Sequence, residues 1–235
     1  VIGLGETGFS SAKFLYRKKC DFDICDTRKE PPYDRELKKQ FPDIKLISNA
    51  KINSELLEQY KQVLISPGLS IKEEVYQRYI KQGGIIVGDI ALFLQENKRY
   101  GDKPVIAVTG SNGKSTVVTL AEHILKQAGM KVVAGGNLGL PALDLLEMDV
   151  ELYILELSSF QLETIPSHLL GEELFASSVL LNVSEDHMDR YENINEYRQV
   201  KESIYELSQN CVFNKNEDLL NQQLKQKQHC EFSLN

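Results

Sequence analysis

Residues 109–116 read TGSNGKST and directly follow the apolar run PVIAV at 104–108. A β-branched strand that runs into a Gly-Lys-Ser turn and then a helix is typical of loops that hold nucleotide phosphates, because small residues let backbone N–H groups close around phosphate oxygens. The lysine supplies positive charge and the serine hydroxyl binds Mg²⁺. The pattern predicts ATP or GTP binding by seven residues: Gly110, Ser111, Asn112, Gly113, Lys114, Ser115 and Thr116. Only two residues separate the two glycines, whereas the common phosphate loop has four, so the usual NTPase families fit poorly.

Two further clusters of polar side chains come directly after apolar runs. Glu156 ends the run at 152–156, and His187 follows the run at 177–182 and stands between two aspartates. In open α/β sheets the carboxyl ends of the strands are where ligands bind. A carboxylate beside a phosphate loop commonly holds Mg²⁺, and a histidine there is a metal ligand or a phosphate contact. A solvated strand-end residue and a structural histidine are the competing interpretations.

Glycine-containing turns follow two other apolar runs. Asn137 lies in GGNLG at 135–139 and offers amide contacts, and Gly68 lies in SPG at 66–68. Ordinary loops explain both turns equally well on local grounds. Lys201 stands on a predicted helix, where most lysines are simply solvated.

The first residues of the chain contain another glycine turn. GLGETG at 3–8 fits the dinucleotide pattern GxGxxG, and Asp26 follows at about the expected spacing. This favours an NAD-binding Rossmann domain with Asp26 on the ribose. A nucleotide-sugar would satisfy the same physics, since helix N-termini with small residues bind many diphosphates, and Arg28 is placed to reach a phosphate or sugar. Glycines that merely allow close strand–helix packing are the third possibility.

Composition excludes several classes of protein. Residues 1–103 hold 18 Lys and Arg against 15 Asp and Glu, whereas residues 104–235 hold 9 against 19. An acidic chain without a basic stripe argues against nucleic-acid binding. No apolar stretch reaches the roughly 20 residues of a membrane helix, and no signal peptide is visible. The four cysteines show no metal-type spacing and favour a reduced, cytoplasmic protein.

Strand-like and helix-like segments alternate throughout, which predicts an α/β fold with parallel sheets. The polar stretch at 97–103 is the best linker candidate, so we expect a Rossmann-like domain at 1–98 and an ATP-binding α/β domain at 104–235. Because both ends of the chain look cut within a domain, we expect it to be part of a longer polypeptide. The predicted strands lie at 22–25, 44–47, 63–66, 85–87, 104–108, 131–134, 152–156, 177–182, 211–213 and 229–232. The predicted helices lie at 7–17, 33–40, 72–81, 89–96, 114–127 and 195–208.

The motifs together resemble one family across essentially the whole chain. TGSNGKST, GGNLGLPAL, ELSSFQLE and LNVSEDHMDRY occur in that order, preceded by GLGETG, DTR, SPG and GDIALF. In this the chain closely resembles the Mur ligases of peptidoglycan synthesis. The TG-x-NGKST loop is shared with folylpolyglutamate synthases, whereas ELSSFQLE and GDIALF look like the Mur ligase that adds D-glutamate to UDP-N-acetylmuramoyl-L-alanine.

The resemblance implies an ATP-driven amide synthesis with Mg²⁺. The substrate carboxylate takes the γ-phosphoryl group, and the amine of D-glutamate attacks the acyl phosphate. The implied catalytic residues are Lys114, His187 and Lys201, the last matching a lysine that CO₂ carbamylates in the family. The implied metal ligands are Ser115, Glu156, His187 and Lys201. The implied substrate-binding residues are Thr7, Asp26, Thr27, Arg28, Gly68, Asn137, Ser158 and Gln161.

The resemblance also implies limits and alternatives. The family has a third, C-terminal domain, which we expect to be absent here, so the 235 residues alone should lack ligase activity. Glu6 stands where the family usually has Leu or another small apolar residue. Because an acid beside a diphosphate is unfavourable, we expect Glu6 to contribute through its backbone or to point away. We favour a monomer without nucleic-acid or membrane partners. The alternatives are an NAD-dependent oxidoreductase, a non-catalytic nucleotide-sugar-binding module and another amide ligase of the superfamily.

Overall fold

The computed structural model describes residues 1–219 and 227–233. Within them strands and helices alternate along most of the chain. The helices are α1 (Glu6–Arg17), α2 (Asp34–Gln40), α3 (Ser54–Leu57), α4 (Glu74–Lys81), α5 (Asp89–Arg99), α6 (Lys114–Gln127), α7 (Ala142–Leu145), α8 (Ser159–Glu163) and α9 (Ile194–Glu206), with a 3₁₀ turn at Ser167–Leu169. The strands are β1 (Ile24–Cys25), β2 (Leu46–Ile47), β3 (Gln62–Leu64), β4 (Ile85–Val87), β5 (Val105–Thr109), β6 (Val132–Gly136), β7 (Leu152–Glu156), β8 (Phe175–Leu180), β9 (Ser208–Asn214) and β10 (His229–Phe232).

The first half of the chain forms a small parallel sheet around its first residues. β1 pairs with β2 and β3 pairs with β4, and Ile2 bridges Cys25 on one side and Ile65 on the other. The backbone N–H of Ile2 donates to the carbonyl of Leu64 at 2.8 Å. Because every pairing is parallel, the glycine turn and the loops after β1 and β3 leave the sheet at the same edge.

The second half forms a six-stranded parallel sheet in the order β10-β9-β8-β5-β7-β6. β5 lies between β7 and β8. After β5 the chain forms β6 and β7 on one side of it, and then β8 on its other side. Such a change of direction is where open α/β sheets bind ligands. The loops after β5, β7 and β8 therefore lie side by side.

Helix α5 packs the two halves together. Its buried residues Ile90, Phe93 and Leu94 belong to the same apolar cluster as Val105 on β5 and Leu145 on α7. The ring of Phe93 meets that of Tyr153 on β7 edge to face, with centroids 5.1 Å apart. Burying this apolar surface is the main force that joins the two sheets.

The predicted α/β class is confirmed, and most predicted elements occur within two or three residues of the expected ends. The predicted linker at 97–103 is partly wrong, because α5 continues to Arg99 and Asn97 is buried. The side chain of Asn97 donates to the carbonyl of Lys103 and accepts from its N–H, which folds the connection back against the helix. Residues 220–226 and 234–235 of the predicted second domain lie outside the described residues.

Candidate functional site

The phosphate loop connects β5 to α6 in the middle of the second sheet. Gly113 caps the helix in the left-handed conformation, with a φ of 82°. The loop is held by the segment after β8: the N–H of Ser111 donates to the carbonyl of Asn182 at 2.9 Å, and the N–H of Asn112 donates to its side-chain oxygen at 2.9 Å. The first-turn N–H groups of α6 have no intrahelical acceptor, so they and the helix dipole favour an anion at this point.

Glu156 lies beside the helix start, at the end of β7. Its carboxylate is buried, with Oε2 accepting from the hydroxyl of Ser115 at 2.8 Å and Oε1 accepting from the amide of Asn137 at 2.8 Å. The backbone N–H of Asn137 also donates to the carbonyl of Glu156 at 2.8 Å. The structure thus joins three predicted site residues, one from each of three neighbouring chain segments.

Two lysines meet at the phosphate loop. Nζ of Lys114 and Nζ of Lys201 each donate to the carbonyl of Gly110 at 2.9 Å. Lys201 is almost fully buried on α9, and burial first, then the positive charge of Lys114, lowers the pKa of its amine to about 7. Its surroundings therefore contradict the simple expectation of a solvated helical lysine. The lowered pKa favours the neutral, nucleophilic form of the amine more than in an exposed lysine.

His187 lies on the loop after β8, in the left-handed conformation with a φ of 55°. Its exposed ring lies 4.7 Å from the ring of Phe160 and 6.3 Å from that of Tyr197, centroid to centroid. Nζ of Lys201 lies 4.6 Å from the same Tyr197 ring. The structure therefore places His187 and Lys201 around one tyrosine, without a direct contact between them among the described interactions.

Ser158 and Gln161 begin the short helix α8, directly after β7. They form a capping box: the N–H of Gln161 donates to the hydroxyl of Ser158 at 3.2 Å, and the N–H of Ser158 donates to the side-chain oxygen of Gln161 at 3.1 Å. The amide nitrogen of Gln161 then donates to Asp89 at 3.3 Å. Asp89 is buried at the start of α5, so this hydrogen bond crosses from one half of the chain to the other.

The glycine turn lies at the carboxyl edge of the first sheet. A Cβ on Gly8 would lie 1.8 Å from the carbonyl oxygen of Gly3, so the packing interpretation holds for that glycine. A Cβ on Gly5 would meet no atom within 4 Å, which leaves space beside the N-terminus of α1. Thr7 lies in the first turn of this helix, and Gly68 is exposed on the loop after β3.

Asp26 and Arg28 interact with each other at this edge. Oδ2 of Asp26 accepts from the N–H of Leu4 at 2.7 Å and from Nη2 of Arg28 at 2.6 Å, and Oδ1 accepts from the backbone N–H and Nε of Arg28. Burial opposes ionisation of Asp26, but the hydrogen bonds from Arg28 and Leu4 hold its pKa below the ordinary value. Both carboxylate oxygens are therefore engaged, while Thr27 and about half of the Arg28 side chain are exposed.

The predicted residues thus form two groups. One surrounds the phosphate loop and contains Lys114, Ser115, Glu156, Asn137 and Lys201. The other lies at the carboxyl edge of the first sheet. Sequence reasoning missed the residues that join the two groups. No local pattern identifies Arg190 in HMDRY or Asp89 in GDIALF, because their partners are far away in the chain.

The described residues contain no group of three or more His, Cys, Asp or Glu side chains suited to a metal ion. A cavity of about 550 Å³ opens at the other end of the first sheet, beside Val1, Lys18 and Tyr100, and contains none of the candidate site residues. In the part of the chain that the structure describes, every helix is too short or too polar to cross a membrane.

Comparison with known families divides the chain in the same way as the two sheets. A family model described as "Mur ligase MurD-like, N-terminal domain" matches residues 1–88, and one described as "Mur ligase middle domain" matches residues 108–235. The second match alone covers more than half of the chain.

Individual proteins are similar over nearly the full chain. A UDP-N-acetylmuramoylalanine–D-glutamate ligase from Pasteurella multocida is 45% identical over 91% of this chain and 46% of its own length. A ligase of the same name from Mannheimia succiniciproducens is 45% identical over 96% of this chain and 48% of its own length. The chain therefore spans about half the length of the curated relatives it matches.

Solved structures share the fold at low sequence identity. The crystal structure of UDP-N-acetylmuramate:L-alanyl-gamma-D-glutamyl-meso-diaminopimelate ligase from Neisseria meningitides superimposes with a TM-score of 0.60 at 15% identity, covering 98% of this chain and 76% of that one. A murein peptide ligase from Psychrobacter arcticus gives 0.52 at 14% identity, covering 99% and 52%. These likenesses concern the fold alone.

Proposed function

The chain belongs to the Mur ligase family, and from that premise we propose that its polypeptide joins D-glutamate to UDP-N-acetylmuramoyl-L-alanine at the expense of ATP, in peptidoglycan synthesis. The names of the similar ligases from Pasteurella multocida and Mannheimia succiniciproducens support this choice of substrates. The observation that carries the proposal is the cluster of Ser115, Glu156 and Asn137 at the start of α6, beside Lys114.

In the proposed reaction the carboxylate oxygen of the UDP-substrate attacks the γ-phosphorus of ATP, and ADP leaves. The amine of D-glutamate then attacks the carbonyl carbon of the acyl phosphate, and phosphate leaves with the former carboxylate oxygen. Phosphoryl transfer depends mainly on alignment and charge neutralisation. The N–H groups at the start of α6 and the ammonium of Lys114 would supply both, by holding the triphosphate and offsetting its charge.

The residues around Glu156 fit Mg²⁺. The ion prefers oxygen ligands, and here a buried carboxylate lies at hydrogen-bond distance from a serine hydroxyl and is held by a neutral amide. Ser115 and Glu156 would hold the ion, with Asn137 orienting the carboxylate. Bound there, it would reduce the repulsion between the triphosphate and an approaching carboxylate.

Lys201 and His187 have proposed roles at the acyl side of the site. The neutral amine of Lys201 is the form that reacts with CO₂, forming an N–C bond and releasing a proton, and the product would be an anion beside the phosphate loop. The ring of His187 is exposed, with Nε2 3.5 Å from Oδ2 of Asp186, and would exchange that carboxylate for a bound phosphoryl group. Both residues would serve a second Mg²⁺, as the family resemblance implies.

The first sheet would bind the UDP group rather than NAD. In an NAD site the acid at the position of Asp26 accepts hydrogen bonds from the ribose. Here both oxygens of Asp26 already accept from Leu4 and Arg28. Asp26 would instead fix Arg28 and Thr27 for the nucleotide-sugar, with Thr7 on the glycine turn and Gly68 on the facing loop. Ser158 would contact the sugar side of the substrate, and Gln161, which is buried and bonded to Ser158 and Asp89, would act there by orienting Ser158.

The proposal extends to the organisation of the protein. Residues 1–98 would form the UDP-substrate domain and residues 104–235 an incomplete ATP-binding domain. The longer relatives suggest that further residues complete the ligase, so we expect this chain alone to lack turnover. The four free cysteines fit a reducing, cytoplasmic location.

The proposal is tested on the polypeptide encoded by the complete gene. Phosphate release from ATP should require both UDP-N-acetylmuramoyl-L-alanine and D-glutamate, and Lys114→Ala should abolish it. Lys126→Ala, a surface lysine on the same helix, is the matched control and should retain activity. Phosphate release in the absence of either substrate, or phosphate release by the Lys114→Ala variant, would reject the assignment. Separate titrations with UDP and NAD complete the test, since tight NAD binding without UDP binding supports the oxidoreductase instead.

A further inference from the structure

The side chain of Arg190 makes polar contacts with both halves of the chain. Its Nε and Nη2 donate to Oε2 of Glu163 at 3.1 and 2.7 Å. Nη1 donates to the carbonyl of Pro67 at 3.1 Å, and Nη2 also donates to the carbonyl of Leu69 at 3.0 Å. The guanidinium carbon lies 3.9 Å from the ring centroid of Phe160. Only 9% of the side chain is exposed, so these contacts are made away from water.

These contacts connect three parts of the candidate site. Pro67 and Leu69 flank Gly68 on the substrate-side loop of the first sheet. Glu163 and Phe160 lie on α8, the helix that begins with Ser158 and Gln161. Arg190 itself follows the loop of His187, and its backbone N–H donates to the carbonyl of that histidine at 2.9 Å.

The geometry requires an arginine. A planar guanidinium offers five donors in a fixed fork, which lets one side chain grip a carboxylate and two carbonyls while its face stacks on an aromatic ring. A lysine ammonium is a point charge and cannot make the fork and the stacking contact together. Other contacts also attach the two halves: Lys13 with Asp144 and Lys98 with Glu172 through different elements, and Lys72 with Glu196 near the same edge. Loss of Arg190 would therefore leave the halves attached but release the carbonyls of Pro67 and Leu69, so that the loop at 66–70 could shift against α8.

We propose that Arg190 is a positioning residue that fixes the loop at 66–70 against α8 and the His187 loop, so that a substrate held by the first sheet presents its carboxyl group at the phosphate loop. This rests on the proposed function, because it assumes a substrate that spans both sheets. Arg190 acts through the two loops and need not touch the reacting atoms.

The exposed cysteines provide a direct measurement of this geometry. Cys20 lies in the first half of the chain and Cys230 in the second, and both are exposed, whereas Cys25 and Cys211 are buried. Spin labels on the two exposed thiols report the distance between the halves. We expect one narrow distance distribution in the wild-type chain, and a broader or multiple distribution in Arg190→Met and Arg190→Lys. Arg198→Met, which breaks a comparable arginine–glutamate pair at 2.7 Å within the second half, should keep the narrow distribution.

Ligand binding by the same chain supplies the second measurement. If about a tenth of Arg190→Met molecules keep the wild-type arrangement, the apparent Kd for UDP-N-acetylmuramoyl-L-alanine rises about tenfold. The Kd for ATP with Mg²⁺ should stay within about twofold, because the phosphate loop is held by Asn182 and not by the side chain of Arg190. Isothermal titration calorimetry separates the two constants, and Arg198→Met should leave the UDP-substrate constant unchanged.

The outcomes distinguish the inference from the function on which it rests. A narrow, unchanged distance distribution in Arg190→Met, or an unchanged UDP-substrate Kd, overturns the positioning role. A wild-type chain that fails to bind the UDP-substrate counts against the proposed function, while the spin-label result still decides the geometry. If circular dichroism shows that Arg190→Met does not fold, Glu163→Gln, which removes the charged acceptor but keeps its shape, is measured by the same criteria.

Discussion

Asp89 should make the stability of this chain depend on pH in an unusual direction. Its carboxyl group is buried at the start of α5, where Oδ2 accepts from Gln161 at 3.3 Å and Oδ1 has no partner among the described contacts. Burial raises its pKa from 3.8 to about 6, although Gln161 and the backbone N–H groups oppose the shift. Ionising this group in the folded chain is therefore unfavourable.

The sign follows from linkage. Because the folded pKa is the higher one, the folded state binds the proton more tightly, and the stabilisation by protonation is fully present below the unfolded pKa. It is lost as the pH rises through the folded pKa of about 6. The difference between the two pKa values corresponds to about 3 kcal/mol. Asp89→Asn does not titrate, so the variant should gain about 3 kcal/mol relative to wild type between pH 3.5 and pH 7.5, an interval set by those two pKa values.

The assay is urea unfolding of both proteins across this pH range, followed by circular dichroism, with the difference in unfolding free energy plotted against pH. Other titrating groups cancel in the difference. Asp149→Asn is the control, since Lys131 holds the pKa of that exposed carboxyl below its ordinary value and its difference should change in the opposite direction. A difference in unfolding free energy between Asp89→Asn and wild type that does not change with pH would refute the account of a buried, partly unsatisfied acid.

Three further predictions concern the site and the fold. Glu156→Gln should weaken binding of ATP in the presence of Mg²⁺ by at least about tenfold while leaving UDP binding unchanged, because it removes the charged oxygen beside Ser115. Calorimetry with and without Mg²⁺ measures the two ATP affinities. An equal loss of affinity in both conditions would argue against a metal role. Incubation with ¹³C-bicarbonate at pH 8 should give a carbamate resonance that Lys201→Arg lacks; a signal that persists in the variant would place the modification elsewhere. Gly8→Ala should lower the melting temperature by several degrees, about 1–3 kcal/mol, because its Cβ would collide with the carbonyl of Gly3; Gly5→Ala, where a Cβ meets open space, is the control and should change it less.

The sequence predicts the second sheet best where strands are long and apolar. The run at 104–108 and the helix at 114–127 occur as β5 and α6 almost unchanged, because the local sequence pattern of each is sufficient to predict its secondary structure. Short elements were missed: α7 and α8 have too few residues for a periodic pattern, although the spacing of Ser158 and Gln161 is a recognisable capping signal. The predicted linker at 97–103 was partly wrong because burial of Asn97 depends on a tertiary contact that composition does not report.

The candidate site also contains residues that the sequence could predict and residues that it could not. Lys114, Ser115 and Glu156 could be placed together from the sequence, since parallel strands bring their carboxyl ends to one edge. The low pKa of Lys201 could not, because it arises from burial of its side chain and from the charge of Lys114. Arg190 could not either, since its partners on the first sheet lie 121 and 123 positions away in the chain.

The central claim is that the substrate carboxylate is activated by phosphoryl transfer at the phosphate loop. It is tested most directly by giving the complete protein UDP-N-acetylmuramoyl-L-alanine with both carboxylate oxygens labelled with ¹⁸O, together with ATP and D-glutamate, and measuring the label by ³¹P nuclear magnetic resonance. An acyl phosphate predicts one ¹⁸O in each released phosphate and the other in the new amide. Label in AMP or in water, with unlabelled phosphate, would contradict the account.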